Sequence, residues 1–365
     1  MATISVTGLA ALDLNRLSLS SLSNPANYQI LEVSNTAFAF RVGSEFSYRL
    51  TGTNLQALGQ PGSTITSLKV TFGSTAFEIT GLNIDFFALF QTIATSGVEA
   101  FLTGNDNVFG TDLGEEIRDL VGHNNLFGGG GADTLTGGTG NDHIYGQSAN
   151  GGTDGADVIS AGSGSDYING NAGNDTIGGG DGSDRVQGGQ GDDTITGDAG
   201  NDTLNGNRGN DLVMGGEGND SVRGGQDNDT LSGGNGDDAL SGDLGIDQLT
   251  GGAGVDRFIF NAGGSPVGAT IDTVTDFQQG TDLIVLGFTP AAVLVGTSSF
   301  ASIDAARAGA QALLDGRAGN SEVASVTLSG GSTLLFWSSS GGATIDSVAA
   351  FQGQAAGDFG LTDFV

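Results

Sequence analysis

A nine-residue period runs unbroken from residue 152 to residue 259, and few folds accept it. Its sixth place holds Asp157, Asp166, Asp175, Asp184, Asp193, Asp202, Asp211, Asp220, Asp229, Asp238, Asp247 and Asp256. Two places later stand Ile159, Ile168, Ile177, Val186, Ile195, Leu204, Val213, Val222, Leu231, Leu240, Leu249 and Phe258. Two further good units carry Asp133 with Leu135 and Asp142 with Ile144, before residues 146–151 interrupt the register. Weaker units reach back to Phe101, with Asp106 and Val108, Glu115 and Ile117, and Asn124 and Leu126. A helix is excluded, because each glycine costs about 1 kcal/mol there relative to alanine. A linker has no use for the regularly placed aliphatic residue. Repetition of this length is the signature of a solenoid, in which each unit buries its apolar residue against its neighbours.

In a unit such as 188–196, glycines at the first, second and fourth places permit backbone angles closed to other residues. Six residues are therefore expected to form a tight turn, and the remaining Thr194, Ile195 and Thr196 a short strand. Alternation then points Ile195 inward and the two threonines outward. Two units make one coil, and coils stack at about 4.8 Å into two parallel sheets around a thin aliphatic core.

Stacking brings Asp193 near Asp175 and Asp211. Such carboxylates repel by about 1 kcal/mol in water and about 3–4 kcal/mol at an effective dielectric of 20. Along two edges the sum rivals the ~5–15 kcal/mol that stabilises a whole domain. A cation between the turns is required, and calcium fits best. It takes carboxylates and carbonyls together in irregular geometry, whereas magnesium demands a near-ideal octahedron. Zinc wants His or Cys, and the chain has two His and no Cys.

The stretch Gly188-Gly189-Gln190-Gly191-Asp192-Asp193-Thr194-Ile195-Thr196 resembles the GGxGxDxUx nonapeptide of the repeats-in-toxin (RTX) family, and residues 215–223 match it equally well. The clean match covers 128–259. The resemblance implies an all-β-dominated fold: a calcium-binding parallel β-roll, or β-solenoid, between a small N-terminal β-rich domain and a C-terminal capping and secretion region. It also implies several calcium ions, held by turn carbonyls and by Asp133, Asp142, Asp157, Asp166, Asp175, Asp184, Asp193, Asp202, Asp211, Asp220, Asp229, Asp238, Asp247 and Asp256. Asp227 in place of a turn glycine, Glu115 and Asn124 in place of Asp, and the insertion at 146–151 depart from the pattern. Residues 270–284 are similar to the DxIxDFxxGxDxI stretch that often follows such repeats, and the ending Leu361-Thr362-Asp363-Phe364-Val365 is similar to the uncleaved C-terminal signal of type I secretion substrates.

Composition narrows the partners. With 42 acids against 11 bases and a net charge of -31, the chain is no nucleic-acid binder, since phosphate binding needs clustered Lys and Arg. An anionic membrane surface repels it, and no apolar run approaches the ~18–20 residues that span a bilayer. The first residues lack the basic and apolar regions of a secretory signal peptide. The expected location is extracellular or at the cell surface of a bacterium, reached through a type I secretion apparatus without an N-terminal signal peptide.

The expected domains are 1–100, 101–260 and 261–365. In the first, 37–42 and 65–72 alternate as strands, and 85–95 reads as a helix whose Phe86, Leu89, Phe90 and Ile93 face the sheet or another chain. In the last, Ser302 is expected to cap a helix reaching Asp315, with strands at 323–328 and 334–337. No zinc-protease, nucleophile-elbow or P-loop motif is present, and acid pairs such as Asp192-Asp193 recur, unlike a catalytic couple. His123 and His143 are expected on the coil surface. The expected role is therefore structural, not enzymatic: a secreted protein that self-associates or coats a cell-surface polymer, as in a matrix or surface layer. The alternatives are a binding module for carbohydrate or protein using residues 1–100, and an enzyme whose active site lies outside known motifs.

Overall fold

The computed structural model describes the backbone of Thr3–Thr7, Tyr28–Val33, Ala37–Val42, Phe46–Thr53, Thr64–Phe72 and Thr75–Asp85, then residues 105, 107–110, 114, 116–147, 154–260, 271–286, 288, 290–315, 322–338, 345 and 347–365. The chain falls into two compact units, Met1–Thr176 and Ile177–Val365, so the division lies inside the repeats.

In the first unit, Tyr28–Val33, Ala37–Val42, Phe46–Thr53, Thr64–Phe72 and Thr75–Asp85 form an antiparallel meander, which Thr3–Thr7 joins by pairing with Thr75–Asp85. The strands expected at 37–42 and 65–72 are both present. Asp85 ends a strand, and the rest of the expected helix at 85–95 lies outside the described residues. Thr3–Thr7 also pairs in parallel with Asn107–Phe109, the first repeat strand, so the meander covers what would be a bare sheet edge. Asn107–Phe109, Asn125–Gly129 and His143–Gln147 then pair in succession, as do Glu116–Arg118, Thr134–Thr139 and Val158–Ser163 in the other sheet.

The second unit continues the same design. Strands Arg185–Gln190, Thr203–Arg208, Ser221–Gln226, Ala239–Leu244 and Arg257–Ile259 form one parallel sheet; Thr194–Ala199, Leu212–Glu217, Thr230–Asn235 and Gln248–Ala253 belong to the other. Val186, Ile195, Leu204, Val213, Val222, Leu231, Leu240, Leu249 and Phe258 are fully buried between them.

From Val158–Ser163 to Gln248–Ala253 each strand runs six residues, from the seventh place of one unit to the third of the next, and not three as the turn-forming glycines suggest. The turn shrinks to places four to six. The glycines divide their work accordingly. Left-handed backbone occurs at the second place, as in Gly216 (φ 115°), and at the fourth, as in Gly218 (φ 122°). Where those places lack glycine they hold Asn171, Asp198, Asn207, Asp227 or Asp243, the residue types that best tolerate this region. First-place glycines are not left-handed, and their purpose is different, as the candidate site makes plain.

The C-terminal flank closes the second unit. Asp272–Val274 adds to Gln248–Ala253, and Ser347–Phe351, Thr333–Trp337, Glu322–Leu328 and Ala292–Phe300 follow outward in that order. Helix α1, Ile303–Asp315, starts as expected at Ser302, whose Oγ accepts from Ala305 N–H at 3.3 Å. It buries Ala306 and Ala310 against Val326, Leu334, Phe336 and Val348. The strands expected at 323–328 and 334–337 are present with one extra residue at each start. Phe277, Phe351 and Phe359 pack edge to face and tilted, with centroids 5.1–5.5 Å apart. Among the described residues, no helix is long and apolar enough to cross a membrane.

Candidate metal centre

Every sixth-place aspartate from Asp133 to Asp256 is buried, with 0–3 % of its surface exposed. This follows from the longer strand: places six, eight and one share the inward face. In the second unit each carboxylate from Asp202 to Asp256 accepts, through Oδ1, the backbone N–H of the aspartate one coil earlier. One row runs Asp184 to Asp202, Asp220, Asp238 and Asp256; the other runs Asp193 to Asp211, Asp229 and Asp247. The rungs measure 2.8–3.0 Å. In the first unit Asp133 donates to Asp157, Asp142 to Asp166 and Asp157 to Asp175, at 2.7–2.8 Å. The first two rungs span the insertion at 146–151, so the rows keep register across it. Asn124, standing for Asp, is buried and donates its N–H to Asp142. Asp106 and Glu115 lie outside the described residues.

The second carboxylate oxygen is a different matter. In Asp142, Asp157, Asp202, Asp211, Asp220, Asp229, Asp238, Asp247 and Asp256, Oδ2 is buried and receives no hydrogen bond. A buried anionic oxygen without a donor costs several kcal/mol. Burial accordingly pushes Asp157 and Asp229 up to about 8, Asp142 and Asp202 to about 7, and Asp175, Asp211, Asp238, Asp247 and Asp256 to about 6. Hydrogen bonds from the preceding coil oppose the rise, and neighbouring carboxylates reinforce it in Asp157, Asp202 and Asp229.

The first-place glycine explains what fills the space. At Gly233 a Cβ would collide with Asp238 Oδ2 and lie 2.6 Å from the carbonyl oxygen of Gly251. At Gly179 the same point is 2.5 Å from Asp184 Oδ2 and 2.9 Å from Gly197 O. A carboxylate oxygen and a carbonyl oxygen from the next coil thus share one small space, which stays open because glycine has no side chain. Two acceptors facing each other fit a hard cation, and an all-oxygen donor set fits calcium. Among the described residues, no three His, Cys, Asp or Glu side chains converge, so a cation here draws on backbone carbonyls as well as carboxylates.

This assigns the first-place glycine a steric role, and it is testable. Gly233→Ala is expected to expel the Asp238 carboxylate, lowering the calcium-bound stability by about 1–3 kcal/mol and weakening calcium binding. Gly178→Ala, where a Cβ meets nothing closer than 3.4 Å, is expected to change either by only a few tenths. Calcium titrations of the two variants, read by circular dichroism with a denaturant midpoint for each, separate the outcomes.

Two further carboxylates extend the rows. Asp247 N–H donates to Asp272 at 3.0 Å and Asp256 N–H to Asp282 at 3.1 Å; both acceptors are buried. Asp282 Oδ2 also accepts from Gln278 N–H at 2.7 Å, and Asp276 receives the N–H groups of Gly251 and Gly252. Their spacing of 25 and 26 residues hides them from a nine-residue search, although all three acids lie in the DxIxDFxxGxDxI-like stretch.

A second ladder occupies the fifth place, which the repeat pattern leaves unspecified. Asp192 Oδ1 accepts from Asn210 N–H, Asn210 Oδ1 from Asn228 N–H and Asn228 Oδ1 from Ile246 N–H. Asn201, Asn219 and Asp237 repeat this on the opposite side, ending at Val255 N–H. This ladder is exposed and runs opposite to the first, each later coil donating to the earlier one. Six consecutive Asx residues, Asp192 to Asp237, were its signal in the sequence. His123 takes the same place, its Nδ1 accepting Asn141 N–H at 2.6 Å; both His123 and His143 are exposed, as expected.

A family model described as four copies of the RTX calcium-binding nonapeptide repeat matches residues 121–151, 151–186, 178–213, 206–240, 214–249 and 233–264. No curated protein matches the chain. Among solved structures, the solution structure of the AlgE6R3 subunit from the Azotobacter vinelandii mannuronan C5-epimerase is similar, at 23 % identity over 51 % of this chain and 78 % of that one, with a TM-score of 0.21. From residue 121 to residue 264, the chain is built of RTX calcium-binding nonapeptide repeats.

Proposed function

We propose that this is a secreted protein whose repeats fold on extracellular calcium and which then serves a structural role, assembling with itself or coating a cell-surface polymer. The observation that carries the first half is the row of buried, donor-free Oδ2 atoms beside first-place glycines. In this reading calcium is held by the sixth-place aspartates, Asp133 to Asp256, and by carbonyls such as those of Gly197 and Gly251. The ion supplies the positive charge that lets these carboxylates stay ionised inside the fold. At low calcium the acidic chain remains unfolded and competent for a type I secretion apparatus. Phe364, buried in the folded state and bridged to Ile284, is then accessible to that apparatus only before folding.

The structural half rests on repetition. The carboxylates recur coil after coil, which suits a scaffold and gives no single reacting centre. Residues 1–100, 101–260 and 261–365 act in this reading as N-terminal cap, roll and C-terminal cap. Calcium titration of the purified protein with light scattering is expected to give large ordered particles once the β-signal saturates. Saturation with the protein still monomeric would sink the assembly reading and turn attention to ligands of residues 1–100.

A further inference from the structure

In the second unit the two sheets of the roll carry opposite charge. On one, Arg185, Arg208, Arg223 and Arg257 stand outward, and the only acid among its repeat strands is Asp243, which Arg223 neutralises at 2.6 Å. On the other, Asp181, Asp198 and Glu217 are exposed, and its repeat strands contain no base. The strands from Thr176–Asp181 to Arg257–Ile259 thus segregate every arginine to one sheet. Arg185, Arg208 and Arg257 are exposed, and no ion pair holds them among the described residues. Among the described residues, the side-chain hydrogen bonds of Asp198 and Glu217 go to the neutral Thr196 and Asn235. Each face also presents one exposed leucine, Leu244 on the basic sheet and Leu212 on the acidic one.

We propose that the basic sheet of the second unit docks on the acidic sheet of a second copy of this chain. The occupant follows from charge and period together. Both sheets repeat at the same spacing of about 4.8 Å, so arginines of one copy meet carboxylates of another over successive coils without loss of register. A single exposed ion pair contributes ~1 kcal/mol or less, but an array of them adds, steers association and excludes like-on-like pairing. The contact joins two different faces, so it is head-to-tail, and it stays open wherever the rotation between copies does not close a ring. Copies then add indefinitely, which is the geometry of a fibre or sheet. This rests on the assembly reading above and supplies the surface for it.

The test is a charge exchange in saturating calcium. One variant carries Arg185→Glu, Arg208→Glu and Arg257→Glu; the other carries Asp181→Lys, Glu217→Lys and Asp198→Asn, the last because Asn keeps the left-handed backbone at that place (φ 71°). Circular dichroism checks that each variant folds with calcium. By analytical ultracentrifugation, each alone is expected to associate at least tenfold more weakly than the unmodified protein. An equimolar mixture is expected to regain association, since each variant's altered face then meets its complement. For the unmodified protein, raising salt well above about 0.1 M is expected to weaken association. Assembly that both folded variants retain would overturn the docking surface while leaving the assembly reading intact. A monomeric unmodified protein would overturn both, and capture of its basic face by a soluble polyanion with no self-association would assign that face to a polymer instead.

Discussion

Removing calcium at pH 8 with a chelator is expected to abolish the parallel-strand signal of the roll and expose residues 121–264 to proteolysis, and returning calcium to restore both. The expected size of the effect follows from linkage. A single ion at a hundred times its dissociation constant adds about 2.7 kcal/mol to the folded state, and each further ion held by the rows adds to it. Without them, the fold must bury a row of ionised Oδ2 atoms that receive no hydrogen bond. The aliphatic core, one residue such as Leu204 or Val213 per unit, is too thin to offset that cost. Far-UV circular dichroism with limited proteolysis, before and after chelation, checks it. Protection unchanged by chelation would mean that the carboxylates are neutralised by some other means.

The same carboxylates give the calcium-free and calcium-bound proteins opposite responses to acid. Burial in the fold pushes Asp157 and Asp229 up to about 8, Asp142 and Asp202 to about 7, and Asp211, Asp238, Asp247 and Asp256 to about 6, against about 3.9 in an unfolded chain. A raised carboxylate pKa means that folding takes up protons. The folded state is therefore favoured below about pH 4 and loses that advantage as pH climbs through 6 to 8. Chelated protein moved from pH 8 to about pH 5.5 is expected to gain β-structure. Calcium binding needs the ionised carboxylate, so calcium affinity is expected to fall over the same interval. Circular dichroism of chelated protein against pH, beside calcium titrations at each pH, reads both trends. A chelated protein that loses structure on acidification would contradict the buried, donor-free state of these groups.

The period, the inward Ile195 and its equivalents, and the special status of the sixth-place aspartate are all legible in the sequence. These are legible because a strand alternates and a repeat must bury the same face in every unit. How far the strand extends is not legible there. Gly197 and Gly206 read as turn residues, which puts Asp202 and Asp211 in turns and not under the sheet. Only the six-residue strand shows that places six, eight and one point the same way. The fifth-place ladder was equally hidden, because an Asx residue in a solvated turn ordinarily needs no partner. Asp272 and Asp282 escaped because their chain spacing breaks the period although their place in the row does not. The helix after Ser302 was legible from its cap and periodicity alone.

The central claim is that calcium sits beside the first-place glycines, between sixth-place aspartates of successive coils. The most direct measurement is a crystal structure of the calcium-loaded protein with the ions located by their anomalous signal. The prediction is a row of ions along each edge of the roll, each touching the Oδ2 of an aspartate such as Asp220 or Asp238 and a carbonyl of a neighbouring coil. Ions found only elsewhere, with Asp220 Oδ2 and Asp238 Oδ2 still without a partner, would contradict it.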